Sequence, residues 1–308
     1  MLTSQEIQSI LDDAVLDCRA YCREGQLANY IPKLAEANPG VLGLCLLSPT
    51  GELWHSGEWS YNVTIQSISK VAIFLQLLVE MPMSQITQHL SFNATADGFN
   101  SLSDLERYNQ HRPLNPYVNS GAIVSLSLLQ GSTQERFEKV FALTKAACHN
   151  EYLVVDEEVY QSEKIHGDKN RAITYYLKSA GIIDDMDVED LLDSYFRICS
   201  IRVNCRDLAH FASELSPDPE EKTVVSREYL HIARAVMASC GMYNQSGEFL
   251  VRTGLPSKSG VSGGIMASCA NGYGLGVISP PLNSYSNSAA GIHLLEQLSH
   301  KLPFLRLL

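Results

Sequence analysis

The sequence predicts an α+β protein: a mainly antiparallel sheet flanked by helices, with a helical lobe beside it. Three observations lead there. Strand-like runs occur near both ends of the 308-residue chain, around Val41–Ser60 and again after Glu248. Between them, from Gln66 to about Gly241, apolar residues recur at helical spacing. No low-complexity tract, internal repeat or flexible linker divides the chain, so its distant ends must assemble one sheet. The expected division is an α/β lobe of residues 1–64 with 245–308 and a helical lobe of 65–244. Together they make one discontinuous catalytic unit, with the active site in the cleft between them.

The elements follow in order. Thr3 and Glu6 have the spacing of a capping box, and Ile7, Ile10, Leu11, Ala14, Val15, Cys18 and Cys22 continue at helical intervals until Gly25. Pro32 in "NYIPKLAEANPG" opens a short second helix. In "VLGLCLLSPTGELWHSGEWS" the period changes to that of strands, and "SPTG" supplies the turn of a hairpin. Cys45 lies within its first strand and is read as core. Helices are expected near 67–81, 119–130, 133–148, 171–180, 186–200, 204–214 and 226–239. Strands are expected in "EFLVRTGLPSK", "GVSGGIMASCAN" and "GYGLGVISPP", before a last helix from about Ala289 to Leu302.

Composition narrows the function. A net charge of −11 argues against nucleic acid or an anionic membrane as partner. The start "MLTSQEIQSILDD" lacks the basic and apolar regions of an export signal, and the apolar run Val71–Val79 is too short to span a bilayer. A cytoplasmic location is therefore expected, with the eight cysteines reduced. There is no pair of C-x-x-C units and no H-E-x-x-H pattern, so neither a metal nor a cofactor is expected.

The chemistry concentrates in three short stretches. In "TIQSISKVAIFLQLLVE", Ser67 and Lys70 are three apart at the mouth of an apolar helix, so they share a face. The helix start offers unpaired N–H groups to a developing oxyanion. Burial there disfavours the ammonium form of Lys70 and brings the amine toward use as a base. A serine and lysine at this spacing arise about once by chance in a chain this long, so the pair needs company. It has it: Tyr117-Val118-Asn119 lies in "NPYVNSGA", and Lys258-Ser259-Gly260 in "PSKSGVSGG". The ordered set S-x-x-K, [SY]-x-N, K-[ST]-G is the signature of the serine β-lactamase and penicillin-binding fold. The N–H of Val261 can then face that of Ser67 across the cleft.

Further stretches narrow the family. "NYIPKLA", "IQSISKV", "NPYVNSGAI", "SEKIHGDKN", "YFRICSI", "SCGMY" and "GLPSKSGVSGG" closely resemble the serine-dependent glutaminases of the bacterial and kidney/liver type, from about Leu27 to Leu298. The resemblance implies a β-lactamase/transpeptidase-like fold and hydrolysis of L-glutamine, with water, to L-glutamate and ammonia through a γ-glutamyl-serine intermediate. It implies Ser67 as nucleophile, Lys70 as base and Tyr30 as a tyrosine near the nucleophile; the expected proton route from Ser67 to Lys70 is direct or relayed by the hydroxyl of Tyr243 or Tyr30. It implies Asn119, Glu163, Asn170, Tyr195, Tyr243 and Val261 at substrate-binding positions, and a homodimer or homotetramer. The chain departs at Asn29, where aspartate is usual, and at Ser257 in place of alanine. Tyr117 stands where the family often has an apolar residue.

These assignments suit the ligand. Free glutamine is a zwitterion: Glu163 can accept from its ammonium, while Asn119, Asn170 and Tyr195 can donate to its carboxylate. "FNATADGFNSLSDLE" aligns with a loop beside the active site that governs phosphate activation in the animal enzymes, which implies gating or an anion response here. Two other readings are weighed. A β-lactamase or peptidoglycan peptidase shares the fold but acts outside the cytoplasm. A silent binding protein would have no reason to keep the three motifs together.

Overall fold

The computed structural model describes residues 2–107, 111–184, 186–216 and 223–307. Helix α1 (Ser4–Cys18) leads into the hairpin of strands β1 (Gly43–Leu47) and β2 (Leu53–Gly57). After the two-residue strand β3 (Val63–Thr64) come α2 (Ser69–Glu80), α3 (Met83–His89), α4 (Ser103–Arg107), α5 (Asn119–Leu128) and α6 (Thr133–Ala147). Helices α7 (Glu157–His166), α8 (Asp168–Ser179) and α9 (Val188–Cys199) precede β4 (Arg202–Val203). The chain closes with α10 (Cys205–Glu214), α11 (Arg227–Cys240), α12 (Ser246–Thr253), strands β5 (Ser257–Ser259), β6 (Gly264–Ser268) and β7 (Gly274–Ile278), and α13 (Ala289–Lys301).

The strands from the two chain ends form one sheet, in the order β2-β1-β7-β6-β5, with every pair antiparallel. Strands β1, β6 and β7 are buried at every position, which requires cover on both faces. One cover is α1 with α13, whose Leu11, Leu294 and Leu298 pack with Leu44, Leu46 and Val277. The capping box at Thr3 and Glu6 starts α1 as the spacing predicts. The other cover is α10, and two glycines let it approach. A Cβ at Gly274 would lie 2.1 Å from Ala209 O, and one at Gly276 2.1 Å from Cys205 O. The helix therefore rests its backbone on β7, and "GYGLG" is a packing motif.

The larger core surrounds α2. Val71, Ile73, Phe74, Leu75, Leu77 and Leu78 are all at most 2% exposed, so this helix is apolar all round and enclosed by others. Among the described residues, no helix is long and apolar enough to cross a membrane.

Two expectations are corrected. "EFLVRTGLPSK" begins as α12, not as a strand. Phe249 and Thr253, four apart, are buried, and Gly254 at φ 66° ends the helix in the left-handed region. Only Ser257–Ser259 is extended. The structure also adds α3, α4 and α7, helices that the sequence reading leaves out.

Candidate active site

The approach to α2 is strained where the chemistry begins. Strand β3 pairs with β4, and Ile65 N donates to Ile201 O (2.7 Å). The next residue, Gln66, has φ 47°, in a region that non-glycine residues rarely occupy. A single 3-10 turn, Gln66–Ile68, then carries Ser67 into α2. Ser69 Oγ donates back to Gln66 O (2.7 Å) and braces that turn.

Lys70 Nζ lies 2.6 Å from Ser67 Oγ, as donor to it, and the lysine is 1% exposed. Burial pulls the amine down to about 8, against the opposing charges of Cys199 and Glu163. A neutral amine at that distance can take a proton from the hydroxyl along the same line.

Strand β5 closes the other side. Lys258 Nζ donates to Ser259 O (2.7 Å), lies 4.5 Å from the centre of the Tyr243 ring, and is fully buried. Burial, with Lys70 adding to it, holds its pKa well below the usual lysine range. Tyr243, at φ 54°, donates to Ser259 O (3.3 Å), and its hydroxyl also meets Ser67. Burial pushes that phenol up to about 12. Beyond the strand, a Cβ on Gly260 would stand 2.9 Å from Ile65 O. The turn bearing Val261 thus lies backbone to backbone against the segment that precedes Ser67.

A cavity of about 170 Å³ opens between these elements, and Tyr30, Gln66, Ser67, Asn119, Glu163, Asn170 and Tyr195 line it. Glu163, on α7, is 5% exposed; burial raises its carboxyl to about 7, against a hydrogen bond from Gln66 and the charge of Lys70. Asn119 Nδ2 donates to Asn170 Oδ1 (2.8 Å), while Asn119 Oδ1 is buried without a partner. The buried Tyr195 hydroxyl meets Cys199. Tyr30 lines the cavity and is 50% exposed as a residue, and burial, then Glu163, hold its hydroxyl well above its usual range.

A family model described as glutaminase matches residues 25–305. The chain belongs to the glutaminase family. It is 41% identical over 301 residues to the glutaminase of Clostridium tetani, covering 96% of this chain and 98% of that one. The probable glutaminase of Bacillus subtilis complexed with 6-diazo-5-oxo-L-norleucine superposes with a TM-score of 0.87 at 30% identity, covering 100% and 99% of the two chains. The covalent complex of a Bacillus subtilis glutaminase with 5-oxo-L-norleucine, formed by reaction with 6-diazo-5-oxo-L-norleucine, superposes at 0.83 and 31%, over 97% and 98%. The fold is the β-lactamase-like α+β fold of bacterial glutaminases.

Against this glutaminase frame, the residues singled out in the sequence lie close together, and three of them, Lys70, Tyr243 and Val261, lie off the cavity wall. Lys70 and Tyr243 stand behind Ser67 rather than on the cavity wall. The Val261 side chain belongs to a small apolar cluster with Ile31, Val159 and Tyr243. It borders a separate cavity of about 220 Å³, larger than the first but walled by ion pairs such as Lys33–Glu36 (2.6 Å). Sequence reasoning missed Gln66, which hydrogen-bonds Glu163 and lines the cavity. Its place directly before the nucleophile was the available signal. It also missed Cys199 on the wall, while Phe99 and Asn100, also on the wall, fall in the loop that it placed beside the active site.

Proposed function

We propose that the protein hydrolyses the side-chain amide of L-glutamine by acyl transfer through Ser67. The carrying observation is the buried 2.6 Å contact between Ser67 Oγ and Lys70 Nζ, with the amine shifted to about 8. Ser67 gives its proton to Lys70 and attacks the amide carbon, and the N–H groups of Ser67 and Val261 receive the oxyanion. The nitrogen takes a proton and leaves as ammonia. Water then adds to the γ-glutamyl ester with the same base, restoring the serine and releasing glutamate. The reaction of the similar Bacillus enzyme with 6-diazo-5-oxo-L-norleucine, which ends in a covalent complex, supports a covalent step in this reading.

Substrate orientation follows from complementary charge. Glu163 accepts from the ammonium group. Reversing both amides of the Asn119–Asn170 pair keeps their bond and turns an N–H of Asn119 to the ligand, which relieves the unpartnered oxygen. Asn170 and Tyr195 complete the carboxylate side. Tyr243, in contact with both Ser67 and the β5 backbone, is the better placed relay; Tyr30 faces Glu163 instead. We also place the protein in the cytoplasm as an oligomer of two or four copies, with its two lobes divided at residues 64 and 245. All eight cysteines are buried and free, which suits a reducing compartment.

The test is Ser67→Ala in the full chain. Ammonia release from glutamine is expected to fall by about 10⁴-fold or more. A variant that keeps the parent rate would end the proposal.

A further inference from the structure

The segment Thr95–Asp104 borders the cavity and holds two carboxyl groups that the proposed reaction leaves idle. Asp104, in the first turn of α4, is 6% exposed. Its Oδ2 accepts from Thr95 Oγ1 (3.1 Å), whereas its Oδ1 is buried with no donor. Thr95 Oγ1 in turn accepts the Asp97 N–H (3.0 Å), and the Asp97 side chain lies within hydrogen-bonding reach of Asp104. A buried carboxylate oxygen without a donor is costly, and a second carboxylate beside it adds repulsion. One proton removes both penalties, because the O–H of one acid then donates to the other.

The same segment shapes the site. Phe99 O accepts the Asn119 N–H (2.8 Å), and the Phe99 ring packs on that of Tyr243 with centroids 4.6 Å apart. Phe99 and Asn100 form part of the cavity wall. Asn244 Nδ2 donates to Ala96 O (3.4 Å), a second tie to the turn that carries Tyr243.

We propose that Asp104 keeps a proton that it donates to Asp97, that this bond latches the 95–104 segment closed against the substrate cavity, and that the latch relaxes as Asp104 gives that proton to solvent. Among the described residues, Arg107, one turn along α4, is the charged neighbour that opposes the latch by favouring the ionised form. Tyr117, Cys240 and Tyr243 line the space beside Asp97, and burial raises all three, so they stay neutral in acid. Glu106 shares α4, and His111 Nδ1 meets Leu105 O at the helix end (3.1 Å). Burial first, then Asp97, pushes the Asp104 carboxyl up to about 6. An acid raised in the closed state binds its proton more tightly when closed. Closure is therefore strongest below the free carboxyl value of 3.8, weakens by up to about tenfold per unit as pH rises to about 6, and is constant above it.

The kinetic side of this inference rests on the proposed glutamine site; the latch itself has a separate readout. Amide hydrogen exchange of the full chain, expressed as protection factors for residues 95–104, is compared at pH 5.0 and 7.5 in the parent, Asp104→Asn and Asp97→Asn. Each substitution sets an amide N–H where the donated proton stood, so each variant holds the latch at both pH values. Protection in the parent is expected to fall about tenfold, and in the variants to stay constant. The ratio of parent to variant KM for glutamine is expected to be near one at pH 5.0 and about five at pH 7.5. Constant protection in the parent, or a folded variant that follows the parent's decline, overturns the latch. Two variants keep the test open should one fail to fold. Loss of ammonia release in every protein would instead count against the glutamine reading, while exchange still decides the latch.

Discussion

Two lysines lie in one site, equally sealed from water, in different company. At the mouth of α2, Lys70 Nζ meets a hydroxyl, Ser67 Oγ, at 2.6 Å. On β5, Lys258 Nζ meets a carbonyl, Ser259 O, at 2.7 Å, beneath the Tyr243 ring. Neither is ion-paired with a carboxylate among the described residues, so burial pulls both below the usual lysine range. What separates them is the partner. A hydroxyl has a proton to surrender, and a carbonyl has none. Burial lowers an amine's affinity for protons, but only a donor at the other end of the contact turns that into a base.

The largest expected effect tests that difference directly. Lys70→Met should lower ammonia release by about 10³–10⁴-fold, the scale of a lost general base and a nucleophile left unactivated. Lys258→Met should cost about 10–100-fold, through the packing of Tyr243. Equal losses would break the comparison. Stability should move the other way at Lys70. Its folded pKa of about 8 lies below the free value of 10.5, so the charged form costs the parent about 3 kcal/mol. Denaturant titration should show Lys70→Met more stable by about that amount below pH 8, with the advantage vanishing as pH rises toward 10.5. In the parent, kcat/KM should climb about tenfold per unit up to about pH 8, as Lys70 becomes neutral, and then level off.

The readable parts of this site were those whose physics is local. Ser67 and Lys70 are three apart, and an apolar run after them can only be a buried helix, so nucleophile, base and helix start came from one stretch. The capping box of α1 and the turn of the β1–β2 hairpin are equally local. The α7 helix was not legible, because it buries only Val159, Tyr160 and Glu163 among ten mostly polar residues. Apolar periodicity cannot appear where one turn is all that touches the core. "EFLV" reads as a strand by composition, and only the buried pair Phe249–Thr253 and the left-handed Gly254 make it α12. Gln66 escaped because its importance lies in a backbone angle and in a contact with Glu163 nearly a hundred residues away. The Asp97–Asp104 pair escaped because loop spacing carries no rule that brings two such side chains together.

The next effect in size asks whether the proton passes from Ser67 to Lys70 directly or through a phenol. Tyr243→Phe removes the hydroxyl that touches both Ser67 and the β5 backbone and should reduce kcat by about 100-fold. Tyr30→Phe removes a hydroxyl that faces Glu163 and should act on KM, by less than tenfold. Activity of Tyr243→Phe at the parent level would show that the 2.6 Å contact works unaided, which sharpens the contrast between the two lysines. A larger loss in Tyr30→Phe than in Tyr243→Phe would reverse the assignment of the relay.

The smallest effect concerns what β5 contributes once its lysine is set aside. If the strand acts through its backbone, moving it should cost activity even with its lysine intact. Gly260 provides the handle, since a Cβ there would lie 2.9 Å from Ile65 O and 3.3 Å from Gln66 Cβ. Ile65 cannot yield easily. Its N–H is bonded to Ile201 O (2.7 Å), and its carbonyl accepts from Ile68 N (3.1 Å). Gly260→Ala must therefore displace the turn bearing Val261 by a few tenths of an ångström, away from Ser67. Full loss of an oxyanion donor costs about 10²–10³ in kcat, so a donor that is only displaced should cost about tenfold, with KM unchanged because Glu163 and the Asn119–Asn170 pair stay in place. Gly247→Ala, on α12 with nothing within 4 Å of the added Cβ, should leave kcat at the parent value. A Gly260→Ala protein with parental kcat would mean that the Val261 N–H holds no developing charge, and the oxyanion would then need another donor.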